Sequence, residues 1–305
     1  MTRAALYDST GGPEVLQVAE VPEPAPGDGE AVVRVRAAGL NPIDSKLRSG
    51  FAPSDSPFPR RVGSDVAGTV TGVGAGAVYW DGSPIAVGDE VLGRAPGAVA
   101  ESVTARASEL VRRPDAVPVD VAGGLWIAAL TALSCVVTVP VTADDTVLVG
   151  GAAGAVGVLA AQLAAASGAR VIGTASPRNH DLLRGLGIEP VAYGDGLADR
   201  VAALGGVTAV MDCHGRDALD AGVQLGVPGD RMVAIAAYGA LAETGAHNVE
   251  RSARTAANLA RLVDEIAAGR LTLPVAATFS LDDVRDAFRM LDGAHPAGKI
   301  VVLPR

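Results

Sequence analysis

The sequence predicts an α/β protein in which a smaller β-rich domain precedes a doubly wound parallel sheet. Three observations carry this. From Val119 onward, short β-branched apolar runs alternate with alanine-rich helical segments, the pattern of a parallel sheet covered by helices. Residues 1–118 are instead punctuated by Gly or Pro about every ten residues, which suits short strands in an irregular barrel. The stretch 146–157, TVLVGGAAGAVG, reads as strand, tight turn and helix in direct succession.

In chain order, residues 15–21 and 30–37 are strand candidates, the second alternating Val33 and Val35 with Arg34 and Arg36. A Pro- and Gly-rich stretch separates them. Beyond residue 119 the apolar strands fall at 146–149, 170–174, 189–192, 207–211 and 231–236. A helix at 254–268, ended by Gly269, precedes a strand at 275–279, a helix at 281–291 and a last strand at 299–303. These last three elements exceed what a completed parallel sheet needs. We therefore expect domains at 1–118 and 119–250, with 251–305 returning to the first; a chain of 305 residues suits more than one domain.

Composition narrows the function. Hydrophobic residues make up 49% of the chain and charged ones 19%, which allows a large core. A net charge of −9 repels phosphate backbones, so nucleic acid is not an expected partner. The uncharged runs 121–141 and 146–169 are broken by glycines and Pro140, so neither reads as a membrane span, and no signal peptide is evident. Cys135 and Cys213 lack ligand or redox spacing and read as buried thiols of a reducing compartment, so we expect a cytoplasmic protein. The histidines His180, His214, His247 and His295 show no ligand spacing either.

The glycine-rich turn points to a dinucleotide. Gly154 would let the backbone approach a pyrophosphate, and Gly157 would let the helix pack close on its strand. The N–H groups of Ala155, Val156 and Gly157 would face the anion at the helix N-terminus. Ala152 stands where the first glycine of the usual fingerprint would be. After the next strand an NAD site would place Asp or Glu, about 20 residues past the glycines, on the ribose hydroxyl. This chain has Thr174, Ala175, Ser176, Pro177, Arg178 and Asn179 instead, without a carboxylate and with a guanidinium, which suits a 2′-phosphate and favours NADPH. A surface arginine at a helix start is the structural alternative. His214, after Asp212 and Cys213 at a strand's carboxyl end, is a further candidate for cofactor contact.

Several motifs occur in one order: AAGLNPID at 37–44, VGSDVAGTV at 62–70, GDEVLG at 88–93, ALTA at 129–132, GGAAGAVG at 150–157 and GKIVV at the C-terminus. Together they resemble the zinc-free quinone oxidoreductase branch of the medium-chain dehydrogenase/reductase superfamily, the ζ-crystallin-like proteins. The resemblance spans essentially the whole chain. It implies a GroES-like N-terminal domain and a Rossmann cofactor domain. Zinc-dependent members place ligands where this chain has Asn41, Ser64 and a position near Ile127, none of them competent, so no metal is expected. The hydroxyl that relays a proton in zinc alcohol dehydrogenases is here Ile43. What remains is metal-free hydride transfer from NADPH to a quinone or an α,β-unsaturated carbonyl.

The resemblance also implies site residues. Asn41 would contact the nicotinamide or the acceptor oxygen, and Thr131 the nicotinamide ribose or phosphate; these two are the catalytic candidates. As structural alternatives, Asn41 suits a turn before Pro42 and Thr131 can bond back to its own helix. Tyr193 would lie beside Ser176 and Arg178, Ile235 would support the nicotinamide, and Lys299 would reach the cofactor from the C-terminus. Asp44 reads as a helix cap. Trp126 lines the acceptor pocket or fills the core, and Phe51 replaces a tyrosine common in quinone oxidoreductases. Dimerisation through the edge strand of the cofactor domain, near residues 237–249, follows from the resemblance. Two rival readings are a non-catalytic NADPH-binding protein, structural or sensory, and, disfavoured, a zinc alcohol dehydrogenase.

Overall fold

A strand not anticipated from sequence, β1 (Thr2–Tyr7), opens the chain and pairs antiparallel with β2 (Gln17–Val21). The computed structural model describes residues 1–293 and 296–304, so His295 lies outside the described residues. Strand β3 (Glu30–Gly39) runs through the seven-stranded sheet and alternates as its valines require, with Val33 and Val35 fully buried and Arg34 and Arg36 exposed. Helix α1 (Pro42–Ser49) follows it, then β4 (Arg60–Arg61), β5 (Asp65–Val73), β6 (Glu90–Arg94), β7 (Ser102–Arg106) and β8 (Leu110–Arg112). Two helices, α2 (Val119–Ala122) and α3 (Leu125–Thr138), close this half of the sequence.

The alternating half builds one parallel sheet. Its elements are β9 (Thr146–Gly150), α4 (Ala155–Ala166), β10 (Arg170–Thr174), α5 (His180–Gly185), β11 (Glu189–Val191), α6 (Leu197–Ala203), β12 (Ala209–Asp212), α7 (Asp217–Gln224), β13 (Met232–Ala234), α8 (Leu241–Thr244) and β14 (His247–Asn248). The strand order is β11-β10-β9-β12-β13-β14, with every pairing parallel. The order reverses at β9, and a crevice beyond the carboxyl ends of β9 and β12 is where such sheets take ligands. Leu148, Ile172, Val210 and Met232, one from each of four neighbouring strands, lie in one buried cluster.

Helix α9 (Ala256–Ala267) is capped by Thr255, whose hydroxyl accepts the Asn258 N–H at 3.2 Å. Then come β15 (Val275–Ser280), α10 (Val284–Gly293) and β16 (Lys299–Leu303). β16 pairs parallel with β15 and antiparallel with β3, which adds both strands to the seven-stranded sheet. By contacts the chain divides into two units: Met1–Ile127 with Thr255–Arg270 and Pro274–Arg305, and Ala128–Arg254 with Leu271–Leu273. Among the described residues no helix is long and apolar enough to cross a membrane.

Several boundaries move for local reasons. The strand expected from residue 15 starts at Gln17 because Pro13–Val15 makes a 3-10 turn. The helix expected from residue 281 starts at Val284, because Ser280 and Asp283 close a turn first, Oγ to Oδ2 at 2.6 Å. The edge segment 237–249 needs correction. Tyr238–Ala240 is a 3-10 turn and Leu241–Thr244 is helical, so the edge strand is only His247–Asn248. Alanine and leucine at 240–242 favour the helical turn, and only two residues remain to pair with β13.

Candidate functional site

The glycine turn joins β9 to α4. Gly151 holds φ +64°, the left-handed value that a side chain would strain, and a Cβ there would sit 2.6 Å from the His214 Cβ. The special position is therefore Gly151, which explains why alanine is tolerated at 152. The turn is tied to β10: Gly151 N–H donates to Thr174 Oγ1 at 2.8 Å and Ala152 N–H to Thr174 O at 2.9 Å. A Cβ on Gly157 would meet Gly151 O at 2.2 Å, so only glycine lets α4 start this close to its strand. Gly154 is the N-cap of α4 and no side chain caps the helix; a Cβ on it would meet only Gly151 O, at 3.3 Å. Ala155 and Val156 open the helix half-buried. The first turn of a twelve-residue helix thus keeps its N–H groups for an anion.

At the ends of β10 and β11 the register brings two candidates together. Thr174 pairs with Val191, so Ser176 and Tyr193 each stand two residues beyond a paired position. Ser176 is half-buried, Arg178 is exposed and Tyr193 is 55% exposed. Among the described residues none of the three side chains has a hydrogen-bond or ion-pair partner, and no carboxylate follows β10 as far as Asn179. A hydroxyl, a guanidinium and a phenol in this state fit a phosphate monoester better than a ribose diol. The Tyr193 loop is itself fixed by Arg200, which sequence reasoning did not single out. Its guanidinium donates to the carbonyls of Ala192, Tyr193, Gly194 and Asp195 at 2.7–3.3 Å.

At the switch point, Asp212 ends β12 with 1% exposure. Its Oδ1 accepts the N–H groups of His214 and Gly215, both at 2.9 Å, which fixes the loop carrying His214. Burial pushes this carboxyl up despite those bonds. Ile235 follows β13, half-buried, its N–H on Asp212 O at 3.1 Å. Cys213 shares a hydrogen bond with the buried Cys135, which together with burial pushes its thiol up. In α3, Ser134 and Thr138 bond back to the helix backbone at 2.8 and 2.7 Å. Thr131 does not: its hydroxyl, on a residue 6% exposed, makes no such bond.

In the other unit Asn41 caps α1. Its N–H donates to Asp44 Oδ2 at 2.8 Å, so Asp44 is a capping residue. Asn41 Oδ1 accepts from Lys299 Nζ at 2.5 Å, and the same ammonium lies 3.0 Å from Asp65 Oδ2. Asp65 is fully buried, and its Oδ1 takes the Ile127 N–H at 3.2 Å. Burial pushes the Asp44 carboxyl up to about 7; the Asp65 charge adds to this, while the Asn41 N–H, Lys299 and the Gly63 N–H oppose it. Lys46 lies 6.0 Å from the Phe51 ring, which is 80% exposed, and Trp126 is half-buried.

Comparison with known proteins agrees with this fold. Residues 27–115 match the alcohol dehydrogenase GroES-like domain, and residues 186–302 match the zinc-binding dehydrogenase family. The quinone oxidoreductase of Pseudomonas aeruginosa is 30% identical over 331 residues, covering all of both chains. The chain belongs to the quinone oxidoreductase branch of the medium-chain dehydrogenase/reductase superfamily. Its Rossmann sheet and GroES-like unit are those of this branch. The chloroplastic NADPH-dependent alkenal/one oxidoreductase of Arabidopsis thaliana is 31% identical over 99% of this chain and 79% of its own. A phenolphthiocerol/phthiocerol polyketide synthase of Mycobacterium tuberculosis is 32% identical over 99% of this chain, which spans 15% of that synthase polypeptide's length. The quinone oxidoreductase of Escherichia coli, solved with NADPH, superposes with a TM-score of 0.84 at 27% identity over both whole chains.

The positions that the resemblance aligns with zinc ligands, Asn41, Ser64 and one near Ile127, have the following surroundings. Asn41 faces an ammonium, Ser64 gives its carbonyl to Ala95 N–H at 2.8 Å, and Ile127 contributes a backbone N–H to Asp65. Among the described residues no three His, Cys, Asp or Glu side chains gather as ligands. Sequence reasoning missed Asp65 and the tie from Thr174 to the glycine turn. Asp65 directly follows Ser64, and that adjacency is the signal that could have found it.

Proposed function

We propose that this chain is an oxidoreductase that uses NADPH to reduce quinones or α,β-unsaturated carbonyls without a metal. The observation that carries the cofactor is the unpartnered set Ser176, Arg178 and Tyr193 with no carboxylate after β10. Relatives named quinone oxidoreductase and NADPH-dependent alkenal/one oxidoreductase support the same reading. The cofactor, when bound, supplies the hydride. The chain's residues bind and orient: the turn 151–157 and the first N–H groups of α4 take the pyrophosphate, Ser176, Arg178, Asn179 and Tyr193 take the 2′-phosphate, and His214, Ile235 and Thr131 take the nicotinamide end. Asn41 donates through its carboxamide to the acceptor oxygen, where negative charge develops as the hydride arrives. The metal-free part rests on the donor set at Asn41, Ser64 and the position near Ile127.

The test is NADPH oxidation followed at its nicotinamide absorbance with a panel of naphthoquinones, 2-alkenals and enones. Turnover with at least one is expected. Tight NADPH binding with no turnover on any would favour the non-catalytic reading instead. Stoichiometric zinc by elemental analysis would overturn the metal-free part.

A further inference from the structure

We propose that Lys299 is a positioning residue for the reaction, its ammonium fixing the Asn41 carboxamide so that the amide nitrogen is the group left to donate; this rests on the reading of Asn41 given above. The orientation follows from chemistry. An ammonium has three donors and no acceptor, so the carboxamide atom 2.5 Å from Lys299 Nζ must be the oxygen. With Oδ1 committed, the nitrogen is the only donor that Asn41 can offer. One of its hydrogens is directed at Gly39 O, 3.4 Å from Nδ2, a long contact. Among the described residues the other has no protein acceptor.

The ammonium has little freedom to be elsewhere. Lys299 is 2% exposed and its second partner, Asp65 Oδ2, is fully buried at 3.0 Å. Its alkyl stem runs through a slot that only glycines leave open. A Cβ on Gly39 would stand 2.6 Å from Lys299 Cε, and one on Gly124 would stand 2.6 Å from Lys299 Cγ. The backbone on both sides is pinned as well: Leu40 N–H donates to Ile300 O at 3.0 Å, and Gly39 N–H to Gly123 O at 2.8 Å. Lysine and asparagine therefore sit on adjacent, paired strand ends.

This arrangement has a second effect beyond aim. A cation bound to a carboxamide oxygen withdraws charge from the amide and strengthens its N–H donors, because hydrogen bonds in series polarise one another. An acceptor oxygen gaining charge would feel Lys299 through Asn41, with no contact to the lysine itself. Asp65 Oδ2 pairs with the ammonium at 3.0 Å, and the Ile127 N–H holds Asp65 Oδ1 at 3.2 Å in turn.

The experiment is a kinetic double-mutant cycle with Asn41→Ala, Lys299→Met and both together, alongside NADPH affinity and thermal melting. Lys299→Met should lower kcat about 10- to 100-fold, less than the roughly 100- to 1,000-fold cost of losing a preorganised donor outright because the Asn41 amide remains, while the NADPH dissociation constant moves less than about twofold. In the Asn41→Ala background the lysine change should then have almost no further effect on kcat. Equal losses in both backgrounds, or a loss of NADPH affinity, would overturn the positioning role. Because Lys299→Met strands a buried carboxylate, the paired variant Lys299→Met/Asp65→Asn repeats the cycle with the charge removed from both partners. A readout independent of turnover is the Asn41 side-chain amide signal in ¹⁵N–¹H spectra, assigned by its loss in Asn41→Ala. It should shift and exchange faster with solvent in the paired variant. An unmoved signal would refute the contact whatever the enzyme reduces, whereas a moved signal with an inactive wild type would leave the contact standing and sink the catalytic reading alone.

Discussion

Asp44→Asn should flatten the pH dependence of stability. In the folded chain burial holds the Asp44 carboxyl at about 7, while in the unfolded chain it ionises at its ordinary 3.8. A carboxyl whose folded value is raised favours folding fully below 3.8, and that contribution is lost as pH rises towards 7. Each pH unit in that window costs about 1.4 kcal/mol, so from about pH 5.5, just above the pI of 4.9, to about pH 8 the wild type should lose roughly 2 kcal/mol from this group. Asparagine does not titrate, and its Oδ1 can still accept the Asn41 N–H that Asp44 now takes at 2.8 Å. The assay is urea unfolding of both proteins at the two pH values, comparing the difference between them so that all other groups cancel. The variant should gain on the wild type by roughly 2 kcal/mol towards pH 8. Parallel changes in the two proteins would mean that the Asp44 carboxyl is not held up by burial.

Three further outcomes follow from named contacts. Arg178→Ala should weaken NADPH binding about tenfold or more and leave NADH nearly unchanged, since a guanidinium on phosphate is lost; equal losses by titration calorimetry would assign Arg178 to the fold. Gly154→Ala, with φ −75° and a nearest contact at 3.3 Å, should keep its melting temperature but bind NADPH more weakly. Gly157→Ala should lower the melting temperature because its Cβ meets Gly151 O at 2.2 Å, and equal stability of the two variants would refute this division. We propose that the chain forms a homodimer through the edge at β14; sedimentation at micromolar concentration should show twice the 30.5 kDa chain mass, and a species of the single chain mass would reject it.

The parallel sheet was legible because each strand is a short apolar run closed by Gly, Pro or a polar turn, and alanine-rich helical stretches separate the runs. The edge was not. The residues AYGALAET at 237–244 carry no period of either kind, and their helical turns form against neighbours that sequence does not reveal. The cofactor turn was legible in type, but the fingerprint puts its first glycine at Ala152, whereas the left-handed residue is Gly151, one position earlier. Asn41 could be singled out from its motif, but its partner is 258 positions away and no local pattern joins them. Arg200 reads as an ordinary helix arginine until the loop folds back over it and presents four carbonyls.

Burial of Lys299 also decides how the protein can be handled as a chemical reagent. The chain has only two lysines, Lys46 and Lys299, and the second is 2% exposed. Acylating and reductive-methylating reagents attack a free, solvated ε-amine, so in the folded state they have one side chain to reach, Lys46 on α1. A fluorophore coupled there would report from the helix that Asn41 caps, five residues from that asparagine, without mutagenesis. Modification of the second amine would then count molecules that have opened, and its rate would time the exposure of the C-terminal strand.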